Sequence, residues 1–255
     1  MQFERHIVEA VSFDLWDTLI VDESDEAKRA KQGLDPKPLA RRKLVWEFLN
    51  RHEPVERSLV DAVYDAADYA LKHVWHELYV TWPVRRRLEI VLAGLGRSLP
   101  DEEFDELVRL HETMEMDIGV DMVKGAVEAL SALKKRYKLA VISDAVITPG
   151  WALRKILEGH GLAEFFDAMI FSDEVGHSKP HPDVFLAAAE ALGTSPRRMV
   201  HVGDRGTNDV EGIQAAGGRA VLFTGVADRG RGVKPEAVCE SLTFLPGIIK
   251  VMAKS

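Results

Sequence analysis

The 255-residue sequence contains a single cysteine, Cys239. One thiol cannot form an internal disulfide, and it cannot supply a zinc site that needs several cysteine ligands. The cysteine usage is therefore compatible with a reducing compartment. We interpret Cys239 as a buried, unreactive thiol.

Long hydrophobic runs are also missing. The apolar stretches end well short of the ~20 residues that a membrane-spanning helix requires. The first ten residues, MQFERHIVEA, lack the pattern of a secretory signal peptide. We therefore expect a cytoplasmic protein that does not act on a membrane.

An excess of positive charge is likewise absent, since the formal net charge is -8. This balance argues against a protein that coats nucleic acid, because nucleic-acid phosphates attract many lysine and arginine contacts. Two basic triplets, Arg41-Arg42-Lys43 and Arg85-Arg86-Arg87, fall within helical patterns. We interpret both triplets as solvated helix faces.

The residues that are present, 46% hydrophobic and 29% charged, are typical of a globular protein with a substantial core. Short β-rich runs alternate with helical periodicity, which predicts an α/β fold with a Rossmann-like, doubly wound parallel sheet. The predicted strands are Val8–Phe13, Lys138–Ile142, Ala168–Phe171 and Met199–Val202, with a further candidate at Ala220–Thr224. The predicted helices between them are Gly125–Tyr137, Trp151–Leu157 and Pro182–Leu192.

A long helical insertion separates the first two of these strands. Its predicted helices are Pro38–Asn50, Val55–Tyr79, Pro83–Leu95 and Asp101–Glu115. A single crossover does not need so much chain, so we predict an all-helical cap domain over residues 21–117 and a core formed by residues 1–20 and 118–255. Segments 20–36 and 117–125 are the candidate hinges between them.

Polar residues accumulate where the predicted strands end. Asp14, Ser143 and Asp204 directly follow strands, and Lys179 lies in the loop after another. Ligands of open parallel sheets collect at these carboxyl ends. Two carboxylates brought together need a cation between them, and oxygen ligands suit Mg²⁺, which also accepts a substrate phosphate oxygen. The pattern therefore predicts a magnesium-dependent phosphoryl-transfer site, with Asp14 as a possible nucleophile.

Four motifs resemble those of the haloacid dehalogenase (HAD) superfamily, in the subgroup with a helical cap inserted after the first strand. The motifs are FDLWDTL, VISDA, SDEVGHSKPHPDVF and HVGDRGTNDVEGIQAAGG, and they span nearly the whole chain. The resemblance implies a Rossmann-like core and, for most members, a Mg²⁺-dependent phosphatase that forms an aspartyl-phosphate. The expected substrate is a small phosphorylated metabolite.

The resemblance also implies residue roles. Asp14 would be the nucleophile and a metal ligand. The other metal ligands would be the Trp16 backbone carbonyl, Asp204 and Asp209, the last directly or through water. The residues assigned to binding the phosphoryl group are Thr18, Ser143, Asp144 and Lys179.

Trp16 departs from the family pattern. Phosphatases of the family usually carry there a second aspartate, which protonates the leaving group and later activates water. Its loss costs typically ~10²–10⁴-fold in rate unless another group substitutes. Asp17 is the nearest substitute in sequence, but neighbouring side chains of an extended segment point to opposite sides.

Two alternatives to an ordinary phosphatase therefore stay open. 2-Haloacid dehalogenases of the superfamily lack the second aspartate and often place an aromatic residue there, but they work without a metal, whereas this chain keeps Asp204 and Asp209. Asp144 stands where dehalogenases and many phosphatases of the superfamily have asparagine, which also weakens the dehalogenase alternative and adds negative charge near the expected metal. The other possibility is a catalytically weak module that binds Mg²⁺ and phosphate.

The remaining candidates carry less information. The spacing of His177, His181 and His201 does not indicate a transition-metal site, and we expect ordinary structural roles for them. Aromatic residues at helical spacing, such as Trp75 in the insertion, are more often core than substrate contacts. A monomer and a homodimer are both compatible with the sequence.

Overall fold

A computed structural model describes residues 7–230 and 232–254. The core of the fold is a parallel sheet of six strands. Along the chain the strands of this sheet are β1 (Ala10–Phe13), β4 (Lys138–Ser143), β5 (Ala168–Phe171), β6 (Met199–Gly203), β7 (Arg219–Phe223) and β8 (Ala237–Cys239). Their spatial order is β5-β4-β1-β6-β7-β8, so β1 lies between β4 and β6. The predicted α/β fold with a parallel sheet is confirmed, and β8 is a strand that the sequence did not predict.

The residues of β1 are buried on both faces of the sheet. Val11 and Phe13 belong to one apolar cluster and Ala10 to another, as the alternation of side chains along a strand requires. Complete burial of a valine or phenylalanine side chain is worth about 1.5–3 kcal/mol. This packing fixes the strand end from which Asp14 projects.

Helices cover both faces of the sheet. They are α7 (Ala126–Lys134), α8 (Gly150–Gly159), α9 (Ser172–Val175), α10 (Pro182–Ala191), α11 (Gly212–Ala215) and α12 (Leu245–Met252). The three helices predicted between strands correspond to α7, α8 and α10. Cys239 is buried at the end of β8, as expected, and burial raises the pKa of its thiol.

The insertion after β1 is helical. It contains α1 (Ser24–Lys31), α2 (Lys37–Asn50), α3 (Arg57–Leu78), α4 (Val84–Gly94), α5 (Asp101–Glu112) and α6 (Met114–Ile118). Helices α2 to α5 share an apolar cluster that includes Phe48, Tyr64 and Leu88, separate from the two clusters beside the sheet. A short antiparallel pair, β2 (Ile20–Val21) and β3 (Asp121–Met122), joins the chain where the insertion begins and ends. The division into domains at residues 20 and 118 remains a prediction.

The structure corrects two expectations for the insertion. The predicted helix Asp101–Glu115 ends at Glu112, and a second helix begins at Met114. Each basic triplet also buries one member, since Arg41 is 7% and Arg87 6% exposed. These two arginines face the interior of the helical layer, so the triplets are only in part solvated surfaces. Among the described residues, no helix is long and apolar enough to cross a membrane.

The loop between α3 and α4 is tied to the loop that carries Lys179. The Ser178 amide donates to the Tyr79 carbonyl at 2.8 Å, and the Thr81 amide donates to the Gly176 carbonyl at 3.2 Å. These backbone hydrogen bonds connect the helical insertion directly to one edge of the site described next.

Candidate active site

Three carboxylates meet at the carboxyl end of the sheet. Asp14 follows β1, Asp204 follows β6, and Asp209 lies in the π-helical turn Gly206–Glu211. All three are buried, and one carboxylate oxygen of each lies within 4.8 Å of the others. The structure thus brings together the three carboxylates that the sequence placed in one site.

Gly203 allows Asp209 to approach β6. A Cβ atom at position 203 would lie 2.3 Å from Cγ of Asp209, closer than any packed side chain tolerates. The Asp209 carboxylate is held on both sides. Its Oδ2 accepts from the Arg205 amide at 2.9 Å, and its Oδ1 lies 3.2 Å from Nε2 of His201. Nδ1 of His201 lies 2.9 Å from Oγ of Ser12, so the buried histidine links Asp209 to β1.

Lys179 is the cation between these carboxylates. Its ammonium group donates to Oδ1 of Asp14, and it lies 2.6 Å from Oδ1 of Asp209. The side chain is 3% exposed. Burial alone would lower the pKa of Lys179, but the carboxylates of Asp14, Asp209 and Asp144 outweigh it and raise the pKa. Lys179 is therefore a fixed positive charge at the site.

The two carboxylates beside Lys179 differ in proton affinity. Burial, with the negative charges of Asp209 and Asp204 added, raises the pKa of Asp14 to about 8 against the opposing effect of Lys179. Burial would also raise the pKa of Asp209, but Lys179 and His201 together lower it below its ordinary value. Asp209 is therefore the permanent anion, and Asp14 is the carboxylate that a further cation would stabilise.

Asp204 has one oxygen engaged and one free. Its Oδ2 accepts a hydrogen bond from Nη1 of Arg229, whereas its Oδ1 is buried and has no hydrogen-bond partner among the described residues. A buried carboxylate oxygen without a donor is unfavourable unless a ligand completes it. The three oxygen ligands fit Mg²⁺, which prefers carboxylate oxygens and keeps part of its water shell.

Arg229 was not anticipated from the sequence. Besides binding Asp204, it donates from Nη2 to Oδ2 of Asp17 at 2.7 Å. It lies in an irregular loop after β7 and belongs to none of the four motifs, so no sequence signal pointed to it.

The proposed phosphate-binding residues surround Asp14. Ser143 ends β4, and its buried Oγ has no hydrogen-bond partner among the described residues. Oγ1 of Thr18 donates to Oδ2 of Asp14 at 3.5 Å, a long contact. Asp144 braces the lysine loop, because its Oδ1 accepts from the Lys179 amide at 2.9 Å. Ser143 therefore offers a free hydroxyl, whereas Asp144 is already engaged with the loop.

Trp16 lines a cavity of about 190 Å³ that also contains Asp14, Asp144 and Lys179. The indole thus forms an apolar part of the wall beside Asp14. The expectation that Asp17 continues an extended segment is wrong, because its φ of 53° places it in a left-handed turn. Its Oδ1 accepts from the Asp22 amide at 2.9 Å and its Oδ2 from Arg229, so both oxygens are engaged.

His177 and His181 lie beside Lys179 and come together with Asp183 into a cluster whose possible ligand atoms are within 4.8 Å of one another. Their rings are stacked, with centroids 3.9 Å apart and an angle of 9° between the planes. A metal binds a histidine nitrogen in the plane of the ring, and two nearly parallel planes this far apart do not share one ion. The observed arrangement is therefore a packed pair rather than a metal centre.

Comparisons with known proteins identify the family of the chain. The haloacid dehalogenase-like hydrolase family matches residues 8–217. A pyrophosphatase, PpaX of Bacillus cereus, is 28% identical over an alignment of 198 residues, and the match covers 71% of this chain and 88% of the relative.

Solved structures match over almost the whole chain. A HAD phosphatase from Thermococcus onnurineus is 25% identical with a TM-score of 0.55, over 95% of this chain and 98% of that one. A 2-haloacid dehalogenase from Pseudomonas syringae is 24% identical with a TM-score of 0.63, over 96% of this chain and 99% of that one. The second likeness concerns the fold alone. The matched family and the convergent carboxylates together place the chain among the haloacid dehalogenase-like hydrolases.

Proposed function

We propose that the protein is a Mg²⁺-dependent phosphatase that acts on small phosphorylated metabolites through an aspartyl-phosphate on Asp14. The observation that carries this proposal is the convergence of Asp14, Asp204 and Asp209, with Lys179 bound to Asp14 and Asp209 and one buried oxygen of Asp204 left without a donor. The likeness to a relative named as a pyrophosphatase supports phosphate as the reacting group.

In the proposed reaction, an oxygen of Asp14 forms a bond to phosphorus while the ester bond between phosphorus and the leaving oxygen breaks. Lys179 and the Ser143 hydroxyl hold the phosphoryl oxygens, where charge develops. Mg²⁺, held by Asp14, Asp204, Asp209 and the Trp16 carbonyl, would neutralise further negative charge on the phosphoryl group. Water then cleaves the aspartyl-phosphate and restores Asp14.

Trp16 weakens two proton transfers in this scheme. The indole neither protonates the leaving alkoxide nor takes a proton from the attacking water. Both oxygens of Asp17 are engaged with other groups. Hydrolysis should therefore favour substrates whose leaving groups are stable without a proton, and the aspartyl-phosphate should be long-lived.

The test is a screen of phosphorylated metabolites with Mg²⁺, run on the wild type beside the Asp14→Asn and Trp16→Asp variants. We expect Asp14→Asn to abolish hydrolysis and Trp16→Asp to accelerate it for substrates with poor leaving groups. Hydrolysis that persists in Asp14→Asn would contradict the proposal.

The same tryptophan favours a second candidate, a 2-haloacid dehalogenase, because a halide leaves without a proton. Halide release from 2-haloacids without added metal would identify it. A third hypothesis is that the protein binds Mg²⁺ and phosphate without catalysing a reaction. For such a protein, beryllium fluoride with Mg²⁺ would raise the melting temperature of the wild type but not of Asp14→Asn. Neither phosphate-ester hydrolysis nor halide release would be measurable.

A further inference from the structure

A second cavity, of about 340 Å³, lies between the helices of the insertion and the loop after β4. It adjoins the active-site cavity, because Trp75, Val146 and Ile147 line both. A substrate whose phosphate lies beside Asp14 therefore has a route for its distal end into this second space, which we call the cap cavity.

The cap cavity is lined by buried donors that lack acceptors. Arg41 and Arg87 are 7% and 6% exposed, and Tyr64 is 1% exposed. Nε of each arginine and the hydroxyl of Tyr64 are buried and have no hydrogen-bond partner among the described residues. Burying such groups without a partner is unfavourable, so three of them in one cavity call for an explanation.

The two arginines with free Nε groups make only long ion pairs. Nη2 of Arg41 lies 3.4 Å from Oε1 of Glu115, and Nη1 of Arg87 lies 3.4 Å from Oδ1 of Asp68, both at the long end of an ion pair. Four cations line the cavity, with Asp68 as the one carboxylate among the lining residues that the structure describes. The four are Arg41, Arg42, Lys72 and Arg87.

Other arginines of the same helical layer have hydrogen-bond acceptors for their guanidinium nitrogens. Arg29 is also 6% exposed, but its Nε and Nη2 both donate to the Asp35 carbonyl, at 3.1 and 2.8 Å. Arg42 likewise donates from Nε to Oδ1 of Asp65 at 2.9 Å. Arg42 also lines the cap cavity, so the free Nε groups distinguish Arg41 and Arg87 from the engaged arginines of this layer, and a planar anion would accept hydrogen bonds from these two guanidinium groups.

We propose that the cap cavity binds a second anionic group of the substrate, so that the preferred substrates are phosphate esters with a carboxylate or another phosphate at the distal end. This inference rests on the proposed function for the reaction at Asp14, but the anion site itself does not depend on turnover. Arg41, Arg87 and Tyr64 would donate to the distal anion, and Trp75 would border the connecting passage.

The first experiment compares alkyl phosphates of matched length that end in a carboxylate, a phosphate or a neutral hydroxyl group. With Mg²⁺, we expect kcat/KM to be roughly 10- to 100-fold higher for the substrates with a distal anion than for the neutral one. This is the size of effect that hydrogen bonds to a charged group have. The carboxylate and phosphate arms decide which anion the cavity prefers. Equal kcat/KM for the three substrates would overturn the proposal.

Arg87→Gln tests the site directly, and Arg86→Gln is its matched control. Arg86 lies on the same helix, is 60% exposed at its side chain and pairs with Glu89 instead of lining the cavity. The ratio of kcat/KM between anionic and neutral substrates should collapse toward one in Arg87→Gln and stay high in Arg86→Gln. The same ratio in both variants would contradict a role for Arg87.

Tyr64→Phe removes only the hydroxyl. It tests the same site with a substitution that should not impair folding, in case the arginine variants fold poorly. Because that hydroxyl has no partner within the described residues, its loss should leave the melting temperature of the unliganded protein unchanged or higher. The ratio of kcat/KM for anionic against neutral substrates should nevertheless fall. A lower melting temperature with an unchanged ratio would show a purely structural hydroxyl.

A binding measurement separates failure of this inference from failure of the proposed function. In Asp14→Asn protein, malonate or succinate should raise the melting temperature, and the added Arg87→Gln or Tyr64→Phe substitution should remove that increase. If no phosphate is hydrolysed but this dependence is found, the anion site stands and the phosphatase proposal fails. If hydrolysis depends on Asp14 but neither dicarboxylate stabilises the protein, the anion site fails and the phosphatase proposal stands.

Discussion

Arg229 and Asp204 form an ion pair in which only one carboxylate oxygen is used. Nη1 of Arg229 engages Oδ2 of Asp204, and Oδ1 is left buried without a donor. Nη2 of the same guanidinium binds Asp17 at 2.7 Å. The arginine thus ties the loop after β7 to the loops after β1 and β6 and leaves Oδ1 of Asp204 available to a ligand.

Arg229→Gln should weaken Mg²⁺ binding. Removing a hydrogen-bond partner that orients a metal ligand typically costs 10–100-fold in metal affinity, and we expect a loss of about this size. Isothermal titration of the metal-free protein with Mg²⁺ measures it, with the exposed Arg136→Gln as the control. Tighter binding in Arg229→Gln would show that the guanidinium repels the cation more than it orients Asp204.

Gly203→Ala should disrupt the site from within the sheet. The new Cβ would lie 2.3 Å from Cγ of Asp209, so the carboxylate or the strand must move. Overpacking of this kind costs about 1–3 kcal/mol in unfolding free energy, and Mg²⁺ binding should weaken as Asp209 is displaced. Urea denaturation and metal titration measure the two effects.

Gly247→Ala is the matched control for Gly203→Ala. Gly247 lies inside α12, and a Cβ there would have no neighbour within 4 Å. Gly247 lies in the first turn, so alanine there should leave the stability unchanged or raise it by less than the roughly 1 kcal/mol found in helix interiors. If both alanine variants had the same stability, the argument from close packing at Gly203 would be wrong.

His111 should make the stability of the protein depend on pH. Burial lowers the pKa of His111 to about 3, and the nearby charges of Arg41 and Arg87 act in the same direction. The unfolded chain, with an ordinary histidine pKa of about 6.5, binds the proton more readily than the folded chain does. The contribution of His111 is therefore complete above pH 6.5 and is lost as the pH falls toward 3.

Urea denaturation of the wild type and His111→Gln between pH 4 and pH 8 tests this expectation. One differential proton corresponds to a slope of about 1.4 kcal/mol per pH unit, and the wild-type curve should be steeper than the variant's by up to this amount below pH 6.5. Parallel curves would show that His111 is protonated equally in the folded and unfolded states.

The sequence predicted the parts of the site that depend on local pattern. Asp14 and Asp204 each follow a buried strand and Ser143 ends one, and parallel strands carry such residues to one edge of the sheet. Arg229 could not be predicted in this way. Its partner Asp17 is 212 residues away, and the loop that carries Arg229 has no hydrophobic periodicity. Long-range pairs of this kind are set by the packing of loops, which a single sequence does not reveal.

The insertion shows the same limit. Its helices were largely predictable from periodicity and proline positions, yet the inward direction of Arg41 and Arg87 was not. Charged triplets on a helix are ordinarily solvated, and only the neighbouring helices decide which member is buried. The break between Glu112 and Met114 was likewise missed, since no glycine or proline marks it.

The most direct test of the account is detection of the covalent intermediate. Because Trp16 supplies no base for the second step, the phosphorylated enzyme should accumulate when wild-type protein is quenched in acid shortly after mixing with substrate and Mg²⁺. Peptide mass spectrometry should find one added phosphoryl group on Asp14, absent from Asp14→Asn. Substrate turnover with an unmodified Asp14, or an alkyl group in place of phosphate on that carboxylate, would contradict attack on phosphorus.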